Sequence, residues 1–457
     1  MSLFKIAWRS IQQRSLASSL TAFSMALGVM LVCAVLIVSH VLDNYFLSGA
    51  GLGYNLVVGK KGSSMQLVFN TVYYLDRPIE NIPWSFYKEF LPADQRSDKQ
   101  EGMYSRWVEH AVPVNMGDYL EGFRVIGTTP DMFGKLEQQP GKKFEFAAGE
   151  NFKKDDYFGA VIGYGVYEEL GKEVNDQFTP THSAPDGHVH DDKFTIRGVL
   201  KRTGTPIDRG VFVNIEGFYL LDGHAMEAPA EEANATDEHA QKKGHDHAHD
   251  HDHEHHHHHE PLAENLREVT AVLVLTKSPP GDLPSMPELG AQSIMGPINK
   301  GNIAQAVEPI RVIHSFMGTF LNPLRIVLLV LTTLVVVISA VSILVSIYNS
   351  MSERRHEIAV MRALGASRGT VMLIMLLESI LLAVAGGIAG WLLGHGLILA
   401  LGPWITSRAG VVLSPFQFAP AELWLIPGII GLASLVGYLP AWSAYRTDVA
   451  RSLSASP

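Results

Sequence analysis

The densest chemistry in the chain is a run of histidines. Residues 245–260 read HDHAHDHDHEHHHHHE, which sets imidazoles at His245, His247, His249, His251, His253, His255, His256, His257, His258 and His259 among carboxylates. Neutral imidazole is a borderline ligand that suits Zn2+, Cu2+ and Ni2+, and an interleaved carboxylate can complete the shell. An H-x-H repeat offers many equivalent ligand sets, so the chemistry is divalent-metal chelation at several weak sites without one fixed geometry. A smaller group, His182, His188 and His190 with Asp186, Asp191 and Asp192, lies upstream in a polar stretch. The second chemistry is charge. Glu353, Arg354, Arg355, Glu357 and Arg362 crowd one segment beside Ile358, Met361 and Leu364 at helical spacing, and Gly365 supplies a stop. Guanidinium groups on a short amphipathic helix suit an acidic protein groove or an anionic lipid surface.

Other chemistries are excluded by spacing. In GYGVYEELGKE, five residues separate Gly165 from Gly171 where a phosphate loop needs four, and Glu173 stands where a Ser or Thr would hold magnesium. VVGKKGSS, residues 57–64, lacks the spacing altogether. The letters G-x-S-x-G fall at 365–369 and H-E-x-x-H at 253–257, but neither stands out as a catalytic signature, and no catalytic residue is expected. The single cysteine, Cys33, rules out an intrachain disulfide and a Cys-based zinc finger or iron–sulfur site. A formal net charge of −10 argues against a general nucleic-acid binder.

The elements that must position these groups follow from where the apolar residues go. A composition of 47% apolar and 18% charged residues over 457 positions is ordinary on average, but four blocks hold the excess. They run from Leu16 to Val41, from after Arg325 to Tyr348, from Val371 to Leu401 interrupted by Glu378 and His395, and from Leu423 to Trp442. Each supplies the ~20 apolar residues that a helix needs to cross ~30 Å of hydrocarbon. The first block is longer than the ~7–15 residues of a signal-peptide core and reads as a retained anchor. Basic residues flank the spans at Lys5, Arg9 and Arg14, at Arg354, Arg355, Arg362 and Arg368, and at Arg446 and Arg451. All three flanks fall on one side of a four-span chain, which predicts both termini in the cytoplasm. Trp404, Trp424 and Trp442 sit near span ends as interfacial anchors. Gly386, Gly387, Gly390, Gly394 and Gly396 include small-xxx-small spacing and predict a close helix contact along the third span. Glu378 is expected to reach interfacial water or an arginine of the hinge, and His395 reads as a packed or hydrogen-bonded helix histidine.

The long insertion between the first two spans mixes strand and helix signals. FRVIGTTPDMFGKL (123–136) and FGAVIGYGVYEELGKE (158–173) each read as a strand running into a helix. KFTIRGVLKRTGTPIDRGVFVNI (193–215) reads as two strands joined by a Gly/Pro/Asp turn, and REVTAVLVLTK (267–277) as a further strand. With no long βαβ series, an α+β domain is expected. The layout is then 1–41 for an amphipathic lead-in and first span and 42–323 for the outside domain, with a disordered His-rich loop at about 224–261. The second span takes 324–348, a cytoplasmic hinge 349–370 and the third span 371–401. A short outer loop (402–422), the fourth span (423–442) and a tail (443–457) complete it, with no room for further modules at the ends.

The hinge letters also carry a resemblance. Glu353, Arg354, Glu357, Ile358, Arg362, Ala363, Leu364, Gly365 and Ala366 follow the E-R-x-x-E-I-x-x-x-R-A-L-G-A signature of MacB/FtsX/LolC-type ABC permeases. Residues 6–29 are similar to that family's lead-in and first helix, and the VIGYGVYEELG and FTIRGVL…GTPIDRGVFV stretches resemble its extracytoplasmic core domain. The His-rich insert is a departure from the commonest members. The resemblance implies a four-helix permease half with the α+β domain inserted between helices 1 and 2. It also implies a permease homodimer that docks on a homodimer of a separate ATPase, requires no cofactor of its own, and works by mechanotransmission. Glu353, Arg354, Arg355, Glu357, Arg362 and Gly365 would then couple to the ATPase, with membrane lipid around the helices and a periplasmic or outer-envelope partner beyond. Zinc or another divalent metal on the His tract as cargo, regulator or bystander, activation of a periplasmic partner without transport, and extraction of a lipoprotein or small molecule all stay open.

Overall fold

A computed structural model describes residues 3–139, 141–182, 192–221, 262–277, 287–353, 360–409, 411, 413, 414 and 416–446. The chain divides into two compact units, one made of residues 1–44 and 317–457 and the other of residues 45–316.

The first unit is a bundle of apolar helices. The lead-in α1 (Leu3–Gln13) precedes α2 (Ser15–Ala50), and α3 (Asn322–Glu353), α4 (Arg368–Ala409) and α5 (Leu425–Arg446) follow the insertion. Four helices in this chain are long and apolar enough to cross a membrane. They share one core: Met25 and Val29 of α2, Ile343 of α3, Met375 of α4, and Ala433 and Val436 of α5 lie together in it. Leu16, Leu20, Phe23 and Leu27 recur at helical spacing on α2 and stay exposed, as do Val330, Leu334 and Val341 on α3. Two-sided apolarity of this kind is what a helix between protein and hydrocarbon needs. The membrane helices run past the apolar blocks, α2 to Ala50 and α4 to Ala409, because backbone hydrogen bonding continues through polar turns that a hydropathy pattern discards.

The tight contact expected along the third span is made by α4 against α2. A methyl group on Gly386 would lie 2.7 Å from Ala22 O, on Gly390 2.5 Å from Ala26 O, and on Gly394 2.9 Å from Cys33 Cβ. Three glycines four residues apart therefore form a rail with no side chains, and the α2 backbone lies directly on it.

The second unit is built on an eleven-stranded mixed sheet. Its main strands are β1 (Leu56–Lys60), β2 (Val108–Leu120), β3 (Phe123–Thr128), β4 (Phe146–Gly149), β5 (Gly159–Ile162), β6 (Phe194–Leu200), β7 (Gly210–Asn214), β8 (Ala271–Thr276) and β9 (Ala304–Val307), in the order β9-β1-β8-β2-β3-β7-β5-β6-β4. The β7–β3 and β6–β5 pairs are parallel and the other pairs on this path are antiparallel. The α+β reading holds, and the expected strand–helix pairs are present as β3 with Asp131–Gly134 and β5 with Tyr164–Leu170. The helix after β5 ends on Gly171 at φ +65°, where a glycine has no Cβ to clash.

The two strands of residues 193–215 are present but do not form a hairpin. β5 lies between them, antiparallel to β7 and parallel to β6. Their connection is a 3-10 turn held by Asp208, which accepts from Thr203 N and Oγ1 through Oδ1 and from Gly204 N through Oδ2. Burial pushes the Asp208 carboxyl above the usual aspartate range against these three hydrogen bonds. Near the ends of this unit's chain, Phe46 and Phe316 pack together with Phe69 and Tyr73, and Tyr73 Oη donates to Phe46 O.

Candidate functional site

The described part of the segment expected to couple is a helix stop followed by a restart. Residues 360–363 are helical. Gly365 then takes φ +99°, donates its N–H to Arg362 O, and leaves Ala366 N to donate to Met361 O. This pair of bonds around a left-handed glycine is the Schellman closure, and it satisfies carbonyls that a helix end leaves open. Two residues later Ser367 Oγ accepts from Thr370 N and caps α4. The letters R-A-L-G-A-S thus encode a corner with a fixed angle. Met361 packs against the bundle core, whereas Val360 and Leu364 point outward and Leu364 is 83% exposed. Of the residues expected to couple, Arg362 and Gly365 lie in this corner, and Glu353 is the last helical residue of α3. Arg354, Arg355 and Glu357 lie outside the described residues, as do Ile358 and the whole His tract from His245 to His259.

Glu378 is buried, and it accepts from Ser10 Oγ of α1 at 2.9 Å. The reason is that α1 lies along α4 and buries Ala7 and Ser10, which covers the carboxylate. Trp404 and Trp424 are exposed near helix ends, and Trp442 less so.

His395 is hydrogen-bonded, as read, but its partner is a carboxylate. Its Nε2 lies 3.0 Å from Oε2 of Glu422, in the 3-10 turn Pro420–Trp424 that leads into α5. Trp391 Nε1 donates to the same oxygen at 3.0 Å, Cys33 Sγ lies 3.9 Å from it, and Ala419 N donates to Oε1 at 2.8 Å. Cys33 is fully buried and Glu422 nearly so. Glu422 was not singled out by sequence. The available signal was a carboxylate at the mouth of an apolar block, the same rule that drew attention to Glu378.

In the inserted unit, His182 Nδ1 lies 2.7 Å from Oδ1 of the buried Asp118 across the pairing of Thr181–His182 with β2. His188 and His190, with Asp186 and Asp191, lie outside the described residues. His182 therefore has a protein partner in the sheet.

Comparison with known proteins places both units. Residues 18–238 match the MacB-like periplasmic core domain, and residues 329–449 match the FtsX-like permease C-terminal domain. The ABC transporter permease YtrF of Bacillus subtilis is 30% identical over 146 residues, which is 30% of this chain and 34% of that protein. The macrolide export ATP-binding/permease protein MacB of Sodalis glossinidius is 33% identical over 105 residues, 23% of this chain and 16% of that protein. A MacB of Paracoccus denitrificans is 38% identical over 104 residues, 23% of this chain and 15% of that protein. The matches thus span 34% or less of these relatives. One match begins within the first apolar helix and runs on into the insertion, and the other spans most of the last three helices. On that layout and these two matches, the chain belongs to the MacB/FtsX-type permeases.

Proposed function

We propose that the chain is the membrane subunit of an inner-membrane ABC system, in which a separate ATPase homodimer hydrolyses ATP and a permease homodimer passes its closure to the inserted domain. The observation that carries this reading is the corner at Gly365. It closes the helical residues 360–363 ahead of α4 and leaves Val360 and Leu364 uncovered, one turn apart on a single face. Apolar anchors at that spacing beside arginines are what a helix-in-groove contact requires. On this reading Glu353, Arg354, Arg355, Glu357 and Arg362 pair with groove charges. The displaced corner then drives α4, with α1 riding on it through Ser10 and Glu378 and α2 along the glycine rail. Both termini and the corner face the cytoplasm and the inserted domain faces the periplasm. There the His tract at 245–259 would chelate zinc or a similar divalent ion, as cargo or as regulator.

The test is co-purification of the ATPase with Arg354→Glu and Arg362→Glu variants. Breaking a buried charge-assisted contact costs about 2–5 kcal/mol in binding, whereas loss of lipid attraction alone is about 1 kcal/mol per basic residue and leaves a protein partner untouched. Both variants are expected to insert normally and to lose the ATPase. Wild-type recovery of the ATPase with both would sink the coupling assignment.

A further inference from the structure

We propose that Cys33, His395 and Glu422 form a binding site for one zinc-type divalent cation inside the helix bundle. Among the described residues this is the one group whose thiol, imidazole and carboxylate atoms all lie within 4.8 Å of one another. The measured edges are 3.0 Å from His395 Nε2 to Glu422 Oε2 and 3.9 Å from Cys33 Sγ to the same oxygen. In a tetrahedral zinc site, bonds of about 2.3 Å to sulfur and about 2.0–2.1 Å to nitrogen and oxygen hold the ligand atoms roughly 3.3–3.6 Å apart. Opening one edge and closing the other by about 0.3 Å brings these two to that spacing, and the third, from Cys33 to His395, lies within 4.8 Å.

The three ligands come from three elements, and the fold brings each of them in. Gly394 has no side chain, so α2 approaches α4 until Cys33 Sγ would stand 3.0 Å from a Cβ at that position, next to His395. The turn before α5 fixes one carboxylate oxygen of Glu422 on Ala419 N and leaves the other to the junction. The rings of Trp391 and Phe418 pack against His395, at 4.7 and 5.1 Å between centroids, and wall the group with apolar surface. A soft sulfur, an imidazole and a carboxylate together select zinc or its neighbours over magnesium or calcium.

Charge supports the same occupant. A buried carboxylate favours a cation beside it, and a metal ion deprotonates the thiol that coordinates it. Binding would transfer the thiol proton to water and move the His395 proton to Nδ1, so that Zn2+ with one thiolate, one carboxylate and one neutral imidazole forms an uncharged centre. Three protein ligands leave the fourth position for water or another ligand. This site is separate from the His tract and does not rest on the ATPase reading, since all three ligands lie in the helix bundle.

Because Cys33 is the sole cysteine, cobalt(II) reports on this site alone. Imidazoles of the tract give ligand-field bands, but only thiolate coordination gives a sulfur-to-cobalt charge-transfer band in the near ultraviolet. The full chain, purified in detergent with a non-thiol reductant, is titrated with Co2+ and then with Zn2+. The expected result is a charge-transfer band that saturates at one cobalt per chain and is bleached by zinc. It should vanish in Cys33→Ser, need at least tenfold more cobalt in His395→Gln, and survive deletion of residues 245–259. No charge-transfer band in the wild-type chain at cobalt concentrations that saturate the tract would overturn the proposal, with no variant involved. So would a band unchanged by both His395→Gln and Glu422→Gln, or one lost with the tract.

Discussion

At the residue scale, the glycines of α4 are the sharpest case of a sequence signal acquiring a partner. Small-xxx-small spacing predicts a close contact, but only the packing identifies α2 as the surface in contact. Gly390 leaves no space, since a methyl group would sit 2.5 Å from Ala26 O and 2.7 Å from Val29 Cβ, whereas nothing lies within 4 Å of a Cβ at Gly396. Overpacking a well-filled contact costs about 1–3 kcal/mol. Gly390→Val is therefore expected to lower the thermal midpoint of the detergent-solubilised chain by several degrees and Gly396→Val to leave it within error. Equal midpoints for the two would remove the rail from the account. The same residues show why the buried junction escaped the sequence. Cys33 and Glu422 are 389 positions apart, and each alone looks like an isolated polar residue near an apolar run. Nothing short of the helix packing sets them around His395.

At the scale of elements, the four spans and several strand–helix units are legible because their causes are local: hydropathy length for the spans, and Gly and Pro punctuation for β3, β5 and their helices. β2 is not legible, although it is the longest strand at 13 residues. VEHAVPVNMGDYL breaks alternation with a proline, an asparagine and a glycine, and β2 is held instead by β3 and β8 on its two sides. The insertion of β5 between β6 and β7 is equally hidden, since pairing order depends on non-local contacts. The corner at Gly365 lies between these extremes. Sequence gives the stop, and the structure gives its bonds. A β-branched residue in the left-handed conformation costs about 1–2 kcal/mol, and removal of a serine cap costs about 0.5–2 kcal/mol. Gly365→Val together with Ser367→Ala should thus loosen the angle between the charged helix and α4. The expected reading is reduced ATPase recovery with normal membrane insertion, while Gly369→Ala, where a methyl meets only Ser367 Oγ at 3.8 Å, retains the wild-type level. Full recovery in the double variant would mean that the angle of the corner does not matter for docking.

At the scale of the whole molecule, the His-rich insert and the fold that carries it are separable. The insert leaves the domain after Leu221 and the described chain resumes at Leu262, and the two flanks are fastened to each other. Arg267 donates through Nη1 to Glu216 Oε1 at 2.8 Å and through Nε to Leu262 O at 2.6 Å, and Tyr219 Oη donates to Glu268 O at 2.5 Å. The Arg267 guanidinium also lies over the rings of Trp84 and Tyr219. Since Arg267 is itself buried, this clamp does not depend on what the insert does. Shortening a loop whose ends are already pinned changes closure entropy by only about 0.5 kcal/mol. Deleting residues 245–259 should therefore leave the unfolding midpoint and ATPase recovery unchanged. Zinc capacity should fall from several equivalents to the single one assigned to Cys33, His395 and Glu422. Equilibrium dialysis of the full chain and of the deletion variant, each with and without Cys33→Ser, separates the two kinds of site. A drop to one equivalent on deletion, and to none with the added serine, is the expected pattern. Several equivalents retained after deletion would place the main zinc capacity of the chain elsewhere, and a lower midpoint would mean that the insert packs on the domain it interrupts.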